Sequence, residues 1–546
     1  MNLFGTIMQL FAGLGALLVG FKMLSENTSK LANSGLRSLF NKTSKNPLVG
    51  VLIGAGATAI IQSSGATTVL IVGFVNSGIM SLYQATAMIM GANIGTTITG
   101  QIAALKSLPI AEVAMAMTLV GMALDMFLKK DKIKTFGLLL AGLGLIFIGL
   151  ELMSASMDAF KESPAIVNAL QVINNPFLLL LIGIVTTTIV QSSSAITSIL
   201  ITMAASGLVI GGGGNAILYV ILGTNIGSTT TALLSSFSAN TNGKRTSLIH
   251  LLFNVMGSII FFIILLCVPK FMDLTFAKWF TDAGTQVAMF HTFFNVICTL
   301  LFLPFIKVFV WVATKIYKDK EEVKRVSHLD ARVLRSPSVA LQAANRELED
   351  ACALAMQAVN GSLEGFLSSN TENSEQIRSN IEQVNEMGKA ITEYIVKVSA
   401  GELSYADEQK IGRLHYIVGD VVRVAELADN IVKHTEKSVA QSLVFSEEVK
   451  KDLAQMTQDL NSLYETSIKA YMKNDKSVLP VLNEIEDKVD NMRRKLVQGH
   501  IDRLGEGKCQ PQSSGVFINL VGNMERIGDH LHAIGYSVNE EILNKI

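Results

Sequence analysis

At 546 residues the chain is too long for one ordinary domain, and its 45 basic and 45 acidic residues cancel. A formal net charge of zero gives no electrostatic footprint for nucleic acid. Charge is also uneven: none of Asp, Glu, Lys or Arg occurs between Lys45 and Lys106 or between Glu162 and Lys244. A charge near a bilayer centre costs on the order of 3 kcal/mol, so such runs fit lipid, whereas the stretch beyond residue 318 is densely charged.

The first apolar stretch, residues 4–24, has the length of a membrane span. It lacks the basic start and the A-x-A site of a signal peptide, and a matching copy lies downstream. Gly13-Leu14-Gly15 and Gly20 recur as Gly142-Leu143-Gly144 and Gly149, an offset of 142 − 13 = 129. Asn46-Pro47, Gly54, Gln62-Ser63-Ser64 and Gly78 recur at the same offset as Asn175-Pro176, Gly183, Gln191-Ser192-Ser193 and Gly207. Asn93-Ile94-Gly95 recurs as Asn225-Ile226-Gly227 at 225 − 93 = 132, which places three extra residues near Gly211–Gly214. This register defines a duplicated unit, with copies at residues 1–134 and 135–318.

Residues 48–79 are apolar but break at Gln62-Ser63-Ser64 into arms too short to cross a bilayer, and 176–207 repeat the arrangement. Each reads as a re-entrant helical hairpin. Full spans are expected near 82–105 and 108–128 in the first copy, at 135–154, 215–237 and 246–268 in the second, and last at 286–314. Lys22, Lys30, Arg37, Lys42 and Lys45, the lysines at 129–134, Lys244-Arg245, and Lys315, Lys318 and Lys320 all fall on one side, the cytoplasm by the positive-inside rule. Three crossings per copy is an odd number, so the second copy is inverted.

The second arm of each hairpin begins a helix inside the membrane, where unpaired N–H groups and a partial positive charge suit an oxyanion. Ser63, Ser64, Ser192, Ser193 and Ser194 add hydroxyls. Gln62, Gln191, Thr67 and Thr197, with unwound carbonyls, offer neutral oxygens to sodium. Asn93, Thr96, Asn225 and Ser228 extend the candidate set from the Asn-Ile-Gly segments. A neutral hairpin pair holds a multivalent anion best with co-bound cations, and neither hairpin has a carboxylate or histidine for proton coupling. His250 with Asn254 and His291 with Asn295 are expected to bond between helices. No nucleophile–base pair, phosphate-cradling Gly-Lys-Ser loop or His/Cys metal cluster occurs, so no enzyme activity is expected.

These motifs, Gln62-Ser63-Ser64-Gly65 and Gln191-Ser192-Ser193-Ser194 with both Asn-Ile-Gly and both His-x-x-Phe-Asn stretches, resemble the type II sodium/phosphate cotransporter family over roughly residues 5–315. The resemblance implies inward transport of phosphate with sodium through the paired tips, across a bacterial inner membrane. Gly65 departs from it, standing where the second copy has Ser194. Alternatives are another oxyanion, sulfate or arsenate, or a membrane-anchored phosphate sensor.

After a linker at 319–337, residues 338–546 show apolar positions at helical spacing, as in Ile518, Val521, Met524 and Ile527. Six helices are expected, at 338–369, 375–399, 405–437, 446–473, 477–503 and 512–541, forming two three-helix bundles in an all-α protein. Asp420 to Glu426 and Asn523 to His530 align about 103 residues apart and resemble the PhoU domain, which implies a metal site. Glu525 and Asp529 share a helix face, with Glu426 as the first-copy counterpart of Asp529. A divalent or transition metal there, and a regulatory protein partner or homo-oligomer through a cytoplasmic domain, are the expectations; no other cofactor is implied.

Overall fold

A computed structural model describes residues 3–31, 46–107, 111–318, 327–401 and 403–539. Arg37, Lys42, Lys45 and Lys320 lie outside these residues. The chain divides into two compact units, Met1–Val326 and Ser327–Ile546, and no strand occurs among the described residues.

In the first unit the duplication is visible element by element. The first copy comprises α1 (Leu3–Leu31), the hairpin arms α2 (Pro47–Ile61) and α3 (Ser64–Asn76), α4 (Leu82–Ala104) and α5 (Ala111–Phe127). The second comprises α6 (Asp131–Lys161), a short α7 (Pro164–Val172), the arms α8 (Pro176–Val190) and α9 (Ser193–Ala205), α10 (Ala216–Gly227), α11 (Thr230–Ser236) and α12 (Thr241–Cys267). A turn, α13 (Phe271–Leu274), leads to α14 (Ala283–Phe302) and α15 (Ile306–Ile316).

Among the described residues, five helical stretches are long and apolar enough to cross a membrane: α1, α6, α10 with α11, α12, and α14 with α15. Two expected spans do not qualify. In α4, Thr86, Asn93, Thr96, Thr97, Thr99 and Gln101 dilute the apolar character, and α5 has 17 described residues. Segments α7 and α8 form a bent pair at 108°.

How the copies are related follows from α1 and α6. A Cβ on Gly13 would lie 2.8 Å from Gly149 O, and one on Gly20 would lie 2.7 Å from Gly142 O. The sequence equivalents are Gly13 with Gly142 and Gly20 with Gly149, so each glycine meets the counterpart of the other. That reciprocity is the mark of a two-fold relation. Contact numbers rise along one helix and fall along the other, so the crossing is antiparallel. A two-fold perpendicular to two spanning helices lies in the membrane plane and gives inverted repeats. The hairpins are exchanged across it: α3 packs on α11 and α12 of the other copy, and α9 on α4 and the last span, α14.

The second unit holds two three-helix bundles: α16 (Pro337–Ser368), α17 (Ser374–Ser399) and α18 (Tyr405–Ala440), then α19 (Glu447–Lys473), α20 (Leu479–Gly505) and α21 (Ser513–Tyr536). The bundles meet along α18 and α21, whose buried faces repeat at three and four, as in Val421, Val424 and Ala428 or Val521, Met524 and Ile527. Residues 327–336, within the expected linker, pack on this unit: Tyr394 Oη donates to Asp330 O at 2.8 Å and His328 N to Glu347 Oε2 at 2.7 Å.

Candidate functional site

Local chemistry builds the two hairpin tips alike. Asn46 and Asn175 cap the first arms through Oδ1, with Pro47 and Pro176 at the first helical position. The arms end where Gln62 (φ +56°) and Gln191 (φ +57°) take the left-handed conformation, their N–H groups donating to Thr58 O and Thr187 O. Ser63 and Ser192 then adopt extended backbone and cap the second arms, accepting from Ala66 N at 3.2 Å and Ala195 N at 3.2 Å. The chain therefore breaks and restarts a helix within two residues, at the same place in both copies.

Each glutamine spans its break. Gln62 Nε2 donates back to Ala59 O and Gln191 Nε2 to Thr188 O. Gln62 Oε1 accepts from Thr99 Oγ1 at 3.1 Å and Gln191 Oε1 from Thr231 Oγ1 at 3.0 Å. Thr99 and Thr231 are themselves repeat equivalents (231 − 99 = 132). Sequence reasoning missed them, although that register contained the signal.

The tips converge on one cavity of about 220 Å³. Gln62, Ser63, Ser64 and Gly65 line one side, and Gln191, Ser192, Ser193 and Ser194 the other, joined by Ser228 and Thr231. Leu18, Phe21, Lys22 and Ser25 of α1 complete the wall, a contribution the sequence reading did not anticipate. Ser25 Oγ donates to Ile61 O beside the first tip, which fixes this turn of α1 against the hairpin. Two helix N-termini, each worth about half a positive charge, thus reach one space lined by serine hydroxyls and, among the described residues, no carboxylate. The C-terminal turns of α2 and α8 bring carbonyl oxygens beside the tips.

Five expected site residues stand off the cavity. Thr67 Oγ1 donates to Ser63 O at 3.0 Å, Thr96 Oγ1 to Ala92 O at 3.1 Å, Asn93 Nδ2 to Ile89 O at 2.9 Å and Asn225 Nδ2 to Ile221 O at 3.0 Å. These are bonds to the preceding turn of the same helix. Thr197 is buried and its hydroxyl has no partner; its repeat equivalent is Thr68, also buried and unpartnered (197 − 68 = 129), rather than Thr67.

Expected bonding between helices at the His-x-x-Phe-Asn stretches is not found. Asn254 Nδ2 donates to His250 O at 3.0 Å and Asn295 Nδ2 to His291 O at 2.9 Å, each within its own helix. Both ring nitrogens of His250 and Nδ1 of His291 are buried without a partner. Apolar neighbours such as Phe253 and Phe294 fill the contacts between these helices instead.

In the second unit Asp529 meets Glu486 and Asp490 of α20, one carboxylate oxygen from each lying within 4.8 Å of the others. Glu525 is 3.7 Å from Arg493, while Glu426 pairs with Arg423. Burial raises the pKa of Glu486, Glu525 and Asp529, and neighbouring carboxylates raise each further.

Comparison with known proteins adds to this geometry. The Na+/Pi-cotransporter family profile matches residues 16–155 and 162–273, and the PhoU domain profile matches residues 453–538. "Uncharacterized protein YqeW" of Bacillus subtilis is 30% identical over 295 residues, covering 54% of this chain and 92% of that one. The chain belongs to the Na+/Pi-cotransporter family. "Putative inorganic phosphate export protein YjbB" of Escherichia coli is 24% identical over 544 residues, 98% of each chain. Human "Sodium-dependent phosphate transport protein 2B" is 36% identical over 113 residues, 18% of this chain and 16% of that protein. No solved structure matches the chain significantly. A phosphate-transporter family member with a C-terminal PhoU domain is thus established, and its membrane-capable helices fit a multi-pass membrane protein.

Proposed function

We propose that the membrane unit is a sodium-coupled symporter that carries inorganic phosphate into the cell across a bacterial inner membrane. The observation that carries this reading is the convergence of two serine-capped helix N-termini on one cavity with no carboxylate among its described lining residues. N–H groups and hydroxyls there favour a tetrahedral oxyanion, and sodium beside the helix C-termini offsets its charge. Lys22 and Ser25 stand on the side where the lysine clusters predict cytoplasm, so the cavity in this conformation faces inward. Transport in the opposite direction is a second reading, favoured by the full-length relatives that carry "export" in their name. Coupled transport is reversible, and the gradients decide between the two.

The PhoU-like unit is proposed to lie in the cytoplasm and to regulate flux, through a protein partner or a second copy. Glu486, Asp490 and Asp529 suit a hard divalent cation, since three carboxylates without histidine or thiol favour oxygen-liganded metals. Such an ion would neutralise their mutual repulsion.

Reconstituted vesicles test the transport reading. Labelled phosphate uptake should require a sodium gradient, fail with potassium in its place, and resist competition by sulfate. Absence of any sodium-dependent phosphate flux in either direction would overturn it.

A further inference from the structure

The cavity between the hairpin tips has one charged lining residue among the described residues, Lys22. It lies on the same α1 face as Leu18 and Ser25, and the Ser25 bond to Ile61 holds that face over the first tip. Its ammonium is only loosely engaged, 3.9 Å from Glu26 Oε1, with 73% of the side chain exposed. A cation at the mouth of a neutral, anion-accepting cavity raises the local concentration of phosphate.

The duplication sharpens the point. The repeat equivalent of Ser25 is Ser154 (154 − 25 = 129), and both serines bond to a hairpin: Ser25 to Ile61 O, and Ser154 to Ser206 at the far end of α9 at 3.0 Å. The equivalent of Lys22 is Glu151 (151 − 22 = 129), so the same position carries opposite charge in the two copies. Glu151 is held by Lys106 at 3.3 Å and does not line the cavity. Inverted repeats exchange environments when access alternates, so the position now filled by Lys22 would be taken by Glu151 in the opposite-facing state.

We infer that Lys22 is the residue that recruits phosphate to the hairpin tips from its own side of the membrane, with Glu26 as its resting partner. Glu151 makes the other side less receptive to the anion. The inference rests on the proposed phosphate transport. A carrier with this charge pattern has a lower KM for phosphate on the Lys22 face than on the Glu151 face.

The test is phosphate exchange by the full-length protein in vesicles at low ionic strength, which reads binding without presupposing direction. Lys22→Gln should raise KM about fivefold with the maximal rate little changed, Lys22→Arg should keep it, and Glu26→Gln should lower it. Lys22→Cys provides a control within one folded preparation. Half is given a positive charge with 2-aminoethyl methanethiosulfonate and half a negative one with the 2-sulfonatoethyl reagent, and the unsubstituted protein is treated alike to account for the exposed Cys267. The aminoethyl adduct should restore a low KM and the sulfonate adduct should raise it about tenfold, with the gap closing at high salt. Equal KM for both adducts overturns the inference while leaving transport intact. No phosphate exchange by the unsubstituted protein overturns the transport reading instead.

Discussion

A Cβ on Gly65 would lie 3.3 Å from both Cβ and Cγ2 of Thr231, the residue whose hydroxyl orients Gln191. The first hairpin tip therefore sits against the support of the second, and the departure at Gly65 has a steric cause. Gly65→Ser should displace Thr231 and loosen the second tip. A misplacement of a few tenths of an ångström here predicts a fall in transport of about tenfold, measured as sodium-driven phosphate flux. Adding Thr231→Ser, which removes the crowding methyl and keeps the hydroxyl, should recover much of it.

The two threonine–glutamine bonds should be separable from folding. Thr99→Val and Thr231→Val each remove one hydrogen bond, worth about 0.5–1.5 kcal/mol, so flux should drop by roughly two- to tenfold. Serine at either position should be nearly neutral. Equal flux in the valine and serine variants would show that the glutamines are held by the backbone alone.

Cavity-lining serines and helix-bonded asparagines predict different kinetics. Ser193→Ala removes a hydroxyl that faces the site and should raise KM for phosphate. Asn93→Ala removes a bond within α4 and should lower the unfolding midpoint while leaving KM near its original value.

The α1–α6 crossing predicts a contrast between neighbouring glycines. Gly20→Leu forces a side chain into Gly142 and Ile146, where a Cβ would already lie 2.7 Å from backbone atoms, and overpacking of this kind costs about 1–3 kcal/mol. Gly15, two residues after Gly13, has nothing within 4 Å of its Cβ position, and Gly15→Leu should be tolerated. Thermal unfolding of the detergent-solubilised protein reads the difference.

The acidic cluster predicts a pH dependence. Glu486, Glu525 and Asp529 have raised folded-state values, so the folded protein binds their protons more tightly than the unfolded chain. That stabilisation is present below the ordinary carboxylate range and is lost as pH rises through the raised values. Asp490→Asn should therefore raise the unfolding midpoint of metal-free protein by about 2 °C near pH 7, with a smaller gain near pH 4. A divalent cation should mimic the substitution in the original protein and have little effect in the variant.

Much of this architecture was legible along the chain. Asn-Pro before an apolar arm, Gln-Ser-Ser at its end and Ser as the next cap are local signals, and the chain acts on them locally. The six helices of the second unit follow from apolar spacing for the same reason. Inversion could be read only indirectly, through lysine counts and an odd number of crossings. The reciprocal meeting of Gly13 with Gly149 and Gly20 with Gly142 expresses it directly. Asn93, Asn225, Thr67, Thr96 and Thr197 looked like site residues because polar groups in apolar helices are conspicuous. Four of the five satisfy themselves on the turn before, and a sequence cannot tell that bond from a ligand contact.

The Gln-Ser-Ser pair and its duplication belong to the sequence alone, because a helix break and its caps are made by residues within four of one another. Which residues share the cavity with them was decided by tertiary structure. Thr99 and Thr231 reach glutamines 37 and 40 residues away, and Lys22 reaches the tips only because α1 crosses α6 closely enough to lie over the first hairpin. That closeness comes from two glycines in each helix, whose missing side chains let the backbones touch.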